Sequence, residues 1–382
     1  MKVGIIGNYG HDNNGDEAIL QGIITQLTDH LLIPRQNITI FSNNPANTEA
    51  RYNMKAAYLL YKKGSFLQSV VETMRRSRSI MKDLDVVIIG GGGILMDMYK
   101  RDAPLYSTHA MLAKMSGCKV IIYGTGAGPI QTKQGTFLIK TMLRVAQSVS
   151  VRDQESKQLL ESIGVTKNID VIADPAFQLG ENISKQPSKK IKNIGVTAVP
   201  YFSEQYWPVS DEAVYTQYVT QFAKNLDILI RSHDVNITFF STKFPQDITV
   251  TEDIHSAMAE KQAVTILKDN LYPNTLAKIC EEQDIIIGTR LHSLILSVAA
   301  KTPVIGIGYH EKVHNFMKKI NKESFFVHIK NLENENMLRD LISKYVSNWD
   351  KEQESYTAIS SEQLLEARKG IQQIQQVIGQ VK

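Results

Sequence analysis

Arg290 and His292 are the residues best placed to do chemistry. They lie in Gly288-Thr289-Arg290-Leu291-His292-Ser293, directly after the apolar run Ile285–Ile287. A guanidinium offers paired donors to a phosphate or carboxylate, and an imidazole moves protons near neutral pH. At i and i+2 in an extended turn, both side chains would point the same way. A surface arginine beside a satisfied core histidine is the plainer explanation. The position favours function, because ligands of open α/β sheets gather beyond the carboxyl ends of strands.

Other polar clusters occupy comparable places. Asn13-Asn14-Gly15-Asp16-Glu17 precedes the apolar run Ala18-Ile19-Leu20. Asn14 or Asp16 can cap a helix there, and Asn14, Asp16 and Glu17 can also meet a sugar hydroxyl or exchange a proton; the two uses are compatible. Gly90-Gly91-Gly92-Gly93 follows a wholly apolar strand and precedes Ile94-Leu95-Met96-Asp97. If a helix starts at once, the N–H groups of Gly91, Gly92 and Gly93 can face an anion; otherwise the run is a tight turn needing positive φ. Arg152, beside Asp153, ends the run Val149–Arg152, either as a second anion contact or as half of a surface ion pair. Gly308-Tyr309-His310-Glu311-Lys312 adds His310 and Lys312 after another strand, although a lone histidine is more often structural.

Several chemistries are excluded. Gly124-Thr125-Gly126-Ala127-Gly128-Pro129 misses the dinucleotide fingerprint, since its third glycine comes one position early and Pro129 follows. The chain holds no Walker A run and no G-x-S-x-G, and Asp83-Leu84-Asp85 precedes its strand instead of ending it. Cys118 and Cys280 stand far apart and form neither a disulfide framework nor a metal motif, which suits a reducing compartment. A formal net charge of +4 over 382 residues, with the two signs interleaved, offers no surface for nucleic acid.

The opening Met1-Lys2-Val3-Gly4-Ile5-Ile6-Gly7 resembles a strand more than an export signal, so a cytoplasmic chain is expected. The apolar stretch from Val86 to Met96 is well short of the roughly 20 residues a spanning helix needs. From Tyr58 to Asp83, Leu59, Phe66, Leu67 and Val70 mix with Lys62, Lys63, Arg75, Arg76 and Arg78. By default this is a surface helix; the second reading is peripheral contact with the inner face of an anionic membrane.

The elements that would position these residues follow from periodicity. Val3–Gly7, Ile38–Phe41, Val86–Gly90, Val120–Gly124, Val149–Arg152 and Ile169–Ala173 read as strands of a first half. Ile194–Ala198, Ile237–Ser241, Val264–Leu267, Ile285–Gly288 and Val304–Ile307 supply a second, with helical segments such as Val214–Ser232 and Asn274–Glu282 between them. Such alternation predicts an α/β fold with parallel sheets covered on both faces. The expected divisions are a first domain over 1–178, a polar linker over 179–192, a second domain over 193–355 and a C-terminal segment over 356–382. Ser360 and Gln363 have capping-box spacing, predicting a last helix that runs to about Val381. Two facing domains would put the turns after Gly90 and Gly288 on a shared cleft.

Taken together, these motifs resemble the polysaccharide pyruvyl transferase family. The series is Asn14–Ile19, Gly90–Gly93, Gly124-x-Gly-x-Gly-Pro129, Val151-Arg152-Asp153, Asp174-Pro175-Ala176-Phe177, Arg290-Leu291-His292, Pro303 and Tyr309-x-x-Lys312. The resemblance implies two Rossmann-like doubly wound domains arranged as in GT-B glycosyltransferases, with the last helix returning to the first domain. It further implies phosphoenolpyruvate as co-substrate and a sugar acceptor, often lipid-linked, in a reaction that needs no metal and no nicotinamide. On that reading Arg290 and Arg152 would hold the donor's phosphate and carboxylate. His292 would move protons, with Asp16 or Glu17 as acceptor-side partners and Lys312 steadying negative charge. A nucleotide-sugar glycosyltransferase on the same architecture is the alternative enzyme, and a binding protein without chemistry is the third.

Overall fold

The computed structural model describes residues 1–207 and 209–379, which form two compact units. The first comprises Met1–His11, Asp16–Gln178 and the chain from Gln363 on; the second comprises Asp12–Gly15 and Leu179–Glu362.

In the first unit, β1 (Val3–Ile6), β2 (Ile38–Ser42), β3 (Lys55–Tyr58), β4 (Val86–Gly90), β5 (Lys119–Thr125), β6 (Ser148–Val151) and β7 (Asp170–Val171) build one sheet. Its order is β3-β2-β1-β4-β5-β6-β7, and every pairing is parallel. Parallel strands need crossovers, which are supplied by α1 (Asn14–Thr25), α2 (Pro45–Tyr52), α3 (Phe66–Met81), α4 (Asp102–Met115), α5 (Lys133–Val145) and α6 (Gln154–Ser162). Helices on both faces bury the central strands completely, so β4 reads Val-Val-Ile-Ile-Gly with no polar alternation. One core cluster joins Val87, Ile89 and Ile122 to Met81 of α3, Ala110 of α4, Met142 of α5 and Leu160 of α6.

The second unit repeats the plan. Strands β8 (Asn193–Thr197), β9 (Asn236–Phe239), β10 (Val264–Ile266), β11 (Ile285–Gly288), β12 (Val304–Gly308) and β13 (Phe326–His328) form a parallel sheet ordered β10-β9-β8-β11-β12-β13. Its helices are α7 (Glu212–His233), α8 (Gln246–Ala257), α9 (Pro273–Glu282), α10 (Leu291–Ala299), α11 (Glu311–Lys319) and α12 (Met337–Val346). The order reverses direction between β8 and β11, so the ends of these two strands are a switch point where ligands collect. Residues 179–192 count with this unit, where Lys185 donates to the carbonyls of Glu281 and Gln283, and Ser188 is bonded by Trp349 and Gln353.

The last helix, α13 (Trp349–Ile378), corrects the expected capping box. It starts at Trp349, and Ser360 lies mid-helix with its hydroxyl donating to the Ala299 carbonyl. A helix-forming stretch upstream of Ser360 carries the helix back past that expected start. Its later part packs in the first unit, where Gly370 lies so close to Tyr123 that a Cβ would stand 2.1 Å from the phenol oxygen. Val381, the expected end, lies outside the described residues. Among those described, no helix is long and apolar enough to cross a membrane.

Candidate functional site

The turn after β11 is fixed before any ligand enters. Ser293 donates to the Arg290 carbonyl at 2.7 Å and receives Thr197 Oγ1 at 2.9 Å, while Thr289 Oγ1 donates to the Thr197 carbonyl at 3.1 Å. Arg290 thus becomes the extended N-cap residue of α10, and His292 falls in that helix's first turn. The expected strand-like pairing of the two side chains is corrected: helix starts at Leu291, so they follow different directions.

Arg290 turns to α8. Its Nη2 is 2.5 Å and its Nε 3.2 Å from Asp247 Oδ1, a fully buried carboxylate that also accepts the Lys243 backbone N–H at 3.0 Å. Nη1 stands 3.2 Å from the Tyr206 phenol oxygen, and Lys243 Nζ reaches the same oxygen at 3.1 Å. Both cations also lie over the Tyr206 ring, at 4.6 Å for Lys243 and 5.2 Å for Arg290. Burial pushes the Asp247 carboxyl up from the ordinary aspartate range, with Arg290 opposing it. Burial would likewise raise the Tyr206 phenol, but Arg290 and Lys243 outweigh it and hold it below the usual tyrosine range. Two cations meeting one oxygen form a ready receptor for an oxyanion. Beside Tyr206 opens a cavity of about 210 Å³ lined by Ser203, Glu204, Glu212, Tyr215 and Asp253. Its carboxylates suit hydroxyl-bearing ligands better than anions.

His292 lies against the segment Asp12–Gly15, which belongs to the same unit. This segment is held by an antiparallel bridge between Asn13 and Lys243, by Asn14 N–H donating to the Thr242 carbonyl at 2.9 Å, and by Asn14 Nδ2 donating to Asn270 Oδ1 at 3.1 Å. Asn14 is fully buried in this arrangement, which makes it a fastening for the strap. A Cβ on Gly15 would meet the His292 ring at 2.3 Å. His310 is the extended N-cap residue of α11, exposed, with its ring 4.8 Å from Tyr309, and Lys312 follows it on the exposed first turn. Burial and Lys312 lower the His310 pKa, favouring the neutral ring.

The remaining predicted residues lie in the first unit. The tetraglycine run is not a helix start, which corrects that expectation: α4 begins only at Asp102. Leu95 and Asp97 instead donate to the carbonyls of Gly126 and Pro129, and Gly128 donates back to Leu95. Gly91 and Gly92 have φ of +92° and +62°, so the run is a turn that only glycine makes without strain, and Gly93 continues it into this pairing. Asp16 packs directly on Gly92 and receives Asn8 Nδ2 at 2.9 Å. Glu17 is buried, with one oxygen accepting Gly10 N–H and the other the Tyr52 hydroxyl, both at 2.7 Å. Burial raises its pKa against those two bonds. Arg152 is buried and paired with Asp174 at 3.1 Å, its guanidinium lying on Gly126. Asp174 thus braces Arg152 as Asp247 braces Arg290.

Sequence reasoning missed Tyr206, Lys243 and Asp247. One signal was present: Lys243 comes just after the apolar end of β9 and just before α8, the same strand-end grammar as Arg290. Nothing in the sequence marked Tyr206. Among the described residues, no three His, Cys, Asp or Glu side chains cluster as metal ligands would.

Two Rossmann-like units of this topology define the GT-B-like class, and solved structures agree. A glycosyltransferase from Rickettsia africae superposes with a TM-score of 0.66 at 14% identity, covering 99% of either chain. The UDP-GlcNAc 2-epimerase from Methanocaldococcus jannaschii gives 0.60 at 11% identity, covering 90% of this chain and 92% of its own. Sequence similarity narrows the class: residues 13–311 match the family model for polysaccharide pyruvyl transferase, and the chain belongs to that family. It is 24% identical to the amylovoran biosynthesis protein AmsJ of Erwinia amylovora over 411 positions, covering 96% of this chain and 97% of AmsJ. The protein is thus a pyruvyl transferase of polysaccharide synthesis, with a sugar as acceptor.

Proposed function

We propose that the pyruvyl group comes from phosphoenolpyruvate and ends as a cyclic ketal bridging two hydroxyls of the acceptor sugar. The observation that supports this most is the convergence of Arg290 and Lys243 on the Tyr206 oxygen, with Arg290 braced by buried Asp247. The donor carries a phosphate and a carboxylate on a small frame, and a fixed cation pair with one removable phenol matches it. Exposed Lys312 and His310, after β12, extend the polar surface of the same unit.

Protonation of the donor's methylene carbon makes a methyl group and leaves an oxocarbenium-like centre. One acceptor hydroxyl adds there and releases its proton; a second displaces inorganic phosphate, and its proton leaves with that group. Net, two C–O bonds form, one C–O bond to phosphate breaks, and the two hydroxyl protons end on the methyl carbon and the phosphate. His292 is the proposed proton carrier, and Asp16 the acceptor-side acid or base.

Purified full-length protein is given phosphoenolpyruvate and a lipid-linked oligosaccharide acceptor, and phosphate release is followed with mass and NMR analysis of the product. A ketal formed in step with phosphate supports the proposal. The GT-B-like fold favours one competing reading, transfer from a nucleotide sugar; acceptor-dependent nucleotide release without phosphate would select it.

A further inference from the structure

Helix α3 packs with its polar side inward. The residues it buries are Ser69, Thr73, Ser77 and Met81, spaced by four. Their hydroxyls have work inside: Ser69 accepts Lys63 N–H at 2.8 Å, Thr73 accepts Tyr61 N–H at 2.9 Å, and Ser77 meets His109 at 3.3 Å. Ahead of its buried last turn, four large apolar side chains face out, with Phe66 81%, Leu67 74%, Val71 64% and Met74 41% exposed. At 100° per residue, Leu67, Val71, Met74 and Arg78 share an arc of about 60°. An ordinary surface helix shows the opposite arrangement.

Charge on this outer face is one-sided. Arg75, Arg76 and Arg78 are exposed, and Glu72, the sole acid of the helix, is engaged by Arg75 at 3.0 Å and Arg76 at 2.5 Å. Apolar side chains followed by a cationic end, with their only acid neutralised, complement a bilayer surface carrying negative headgroups. A second copy docking this face with the two helices parallel would bring arginines against arginines, which disfavours that arrangement. From this inverted packing and this charge we infer that the outer face of α3 docks the first unit onto an anionic phospholipid surface. The inference concerns this helix alone and stands apart from the identity of the donor.

The test uses the full-length protein in co-sedimentation with phosphatidylcholine vesicles, with and without phosphatidylglycerol, at low and high salt. The wild type should bind the phosphatidylglycerol vesicles and release as salt rises. The triple variant Leu67→Ser, Val71→Ser, Met74→Ser should lose at least about tenfold in binding, with an unchanged melting curve because none of the three is buried. Arg75→Gln with Arg78→Gln should weaken binding only to the anionic vesicles. Equal binding to both lipids, or a serine variant that binds as well as wild type, overturns the inference. So does a wild-type dimer in light scattering that the serine variant abolishes without any vesicle binding.

Discussion

The imidazole of His292 occupies the space a side chain on Gly15 would need. A Cβ there would stand 2.3 Å from Nδ1, 2.7 Å from Cγ and 2.9 Å from the His292 Cβ. Since the root of the side chain is among these contacts, ring rotation cannot relieve them. Gly15→Ala should therefore move the ring and cut turnover about 100-fold, the order expected for a misplaced catalytic group. Donor KM should stay near wild type. His292→Ala should lose at least as much, and the double variant no more than His292→Ala alone. Additive losses in a phosphate-release assay would mean that Gly15 acts independently of the histidine.

Asp247 and Arg290 make a different kind of pair, one in which removing a partner is worse than lacking both. Asp247→Ala leaves a guanidinium buried beside no carboxylate and should cost about 3–5 kcal/mol, read as a lower denaturation midpoint. Arg290→Lys keeps a cation but loses the fork that spans Asp247 and Tyr206. It should raise donor KM several-fold with a smaller stability loss. A lysine variant with wild-type donor KM would remove Arg290 from donor binding.

The fold was legible where burial demanded apolar runs. Strands β4, β5, β8, β11 and β12 announce themselves because both faces are covered. β3, Lys-Ala-Ala-Tyr at the sheet edge, and β13, only Phe-Val-His, carry too little apolar pattern to stand out. Arg290 and His292 were legible as a strand-end pair, but their directions were not, because the helix start depends on Ser293 and Thr197. The partners of Arg290 were hidden by distance: Asp247 is 43 residues away and Tyr206 84. The pairing of Asp12–Gly15 with Thr242 and Lys243 similarly needs the folded chain.

Tyr206 should reveal its two cations by titration. Its depressed pKa means that its contribution to stability is full above the ordinary tyrosine value of about 10 and is lost as pH falls through the folded value. Tyr206→Phe should lose that alkaline contribution, read as a smaller gain in melting midpoint than wild type as pH rises. In an alkaline absorbance titration, the wild type should show a phenolate signal early that Tyr206→Phe lacks, and Lys243→Met should move it upward. Identical curves for all three would mean that the cations do not act on this phenol.

Gly91 and Gly92 allow the role of Asp16 to be separated from the strain of its turn. Both glycines have positive φ, so alanine at either position should cost roughly 1–2 kcal/mol of backbone strain. Their neighbours differ. A Cβ on Gly91 would come 2.7 Å from the buried Tyr9 phenol oxygen, whereas one on Gly92 would come 2.6 Å from Asp16 Oδ1. If Asp16 handles the acceptor, Gly92→Ala should raise acceptor KM or lower kcat by at least about tenfold, with donor KM unchanged. Gly91→Ala, at a similar melting point, should change these constants far less. Asp16→Asn, which keeps the shape and can still meet Asn8, should reproduce the kinetic defect without the loss of stability. If both alanine variants lose activity equally while Asp16→Asn stays active, the turn itself is what the reaction needs and the carboxylate is not.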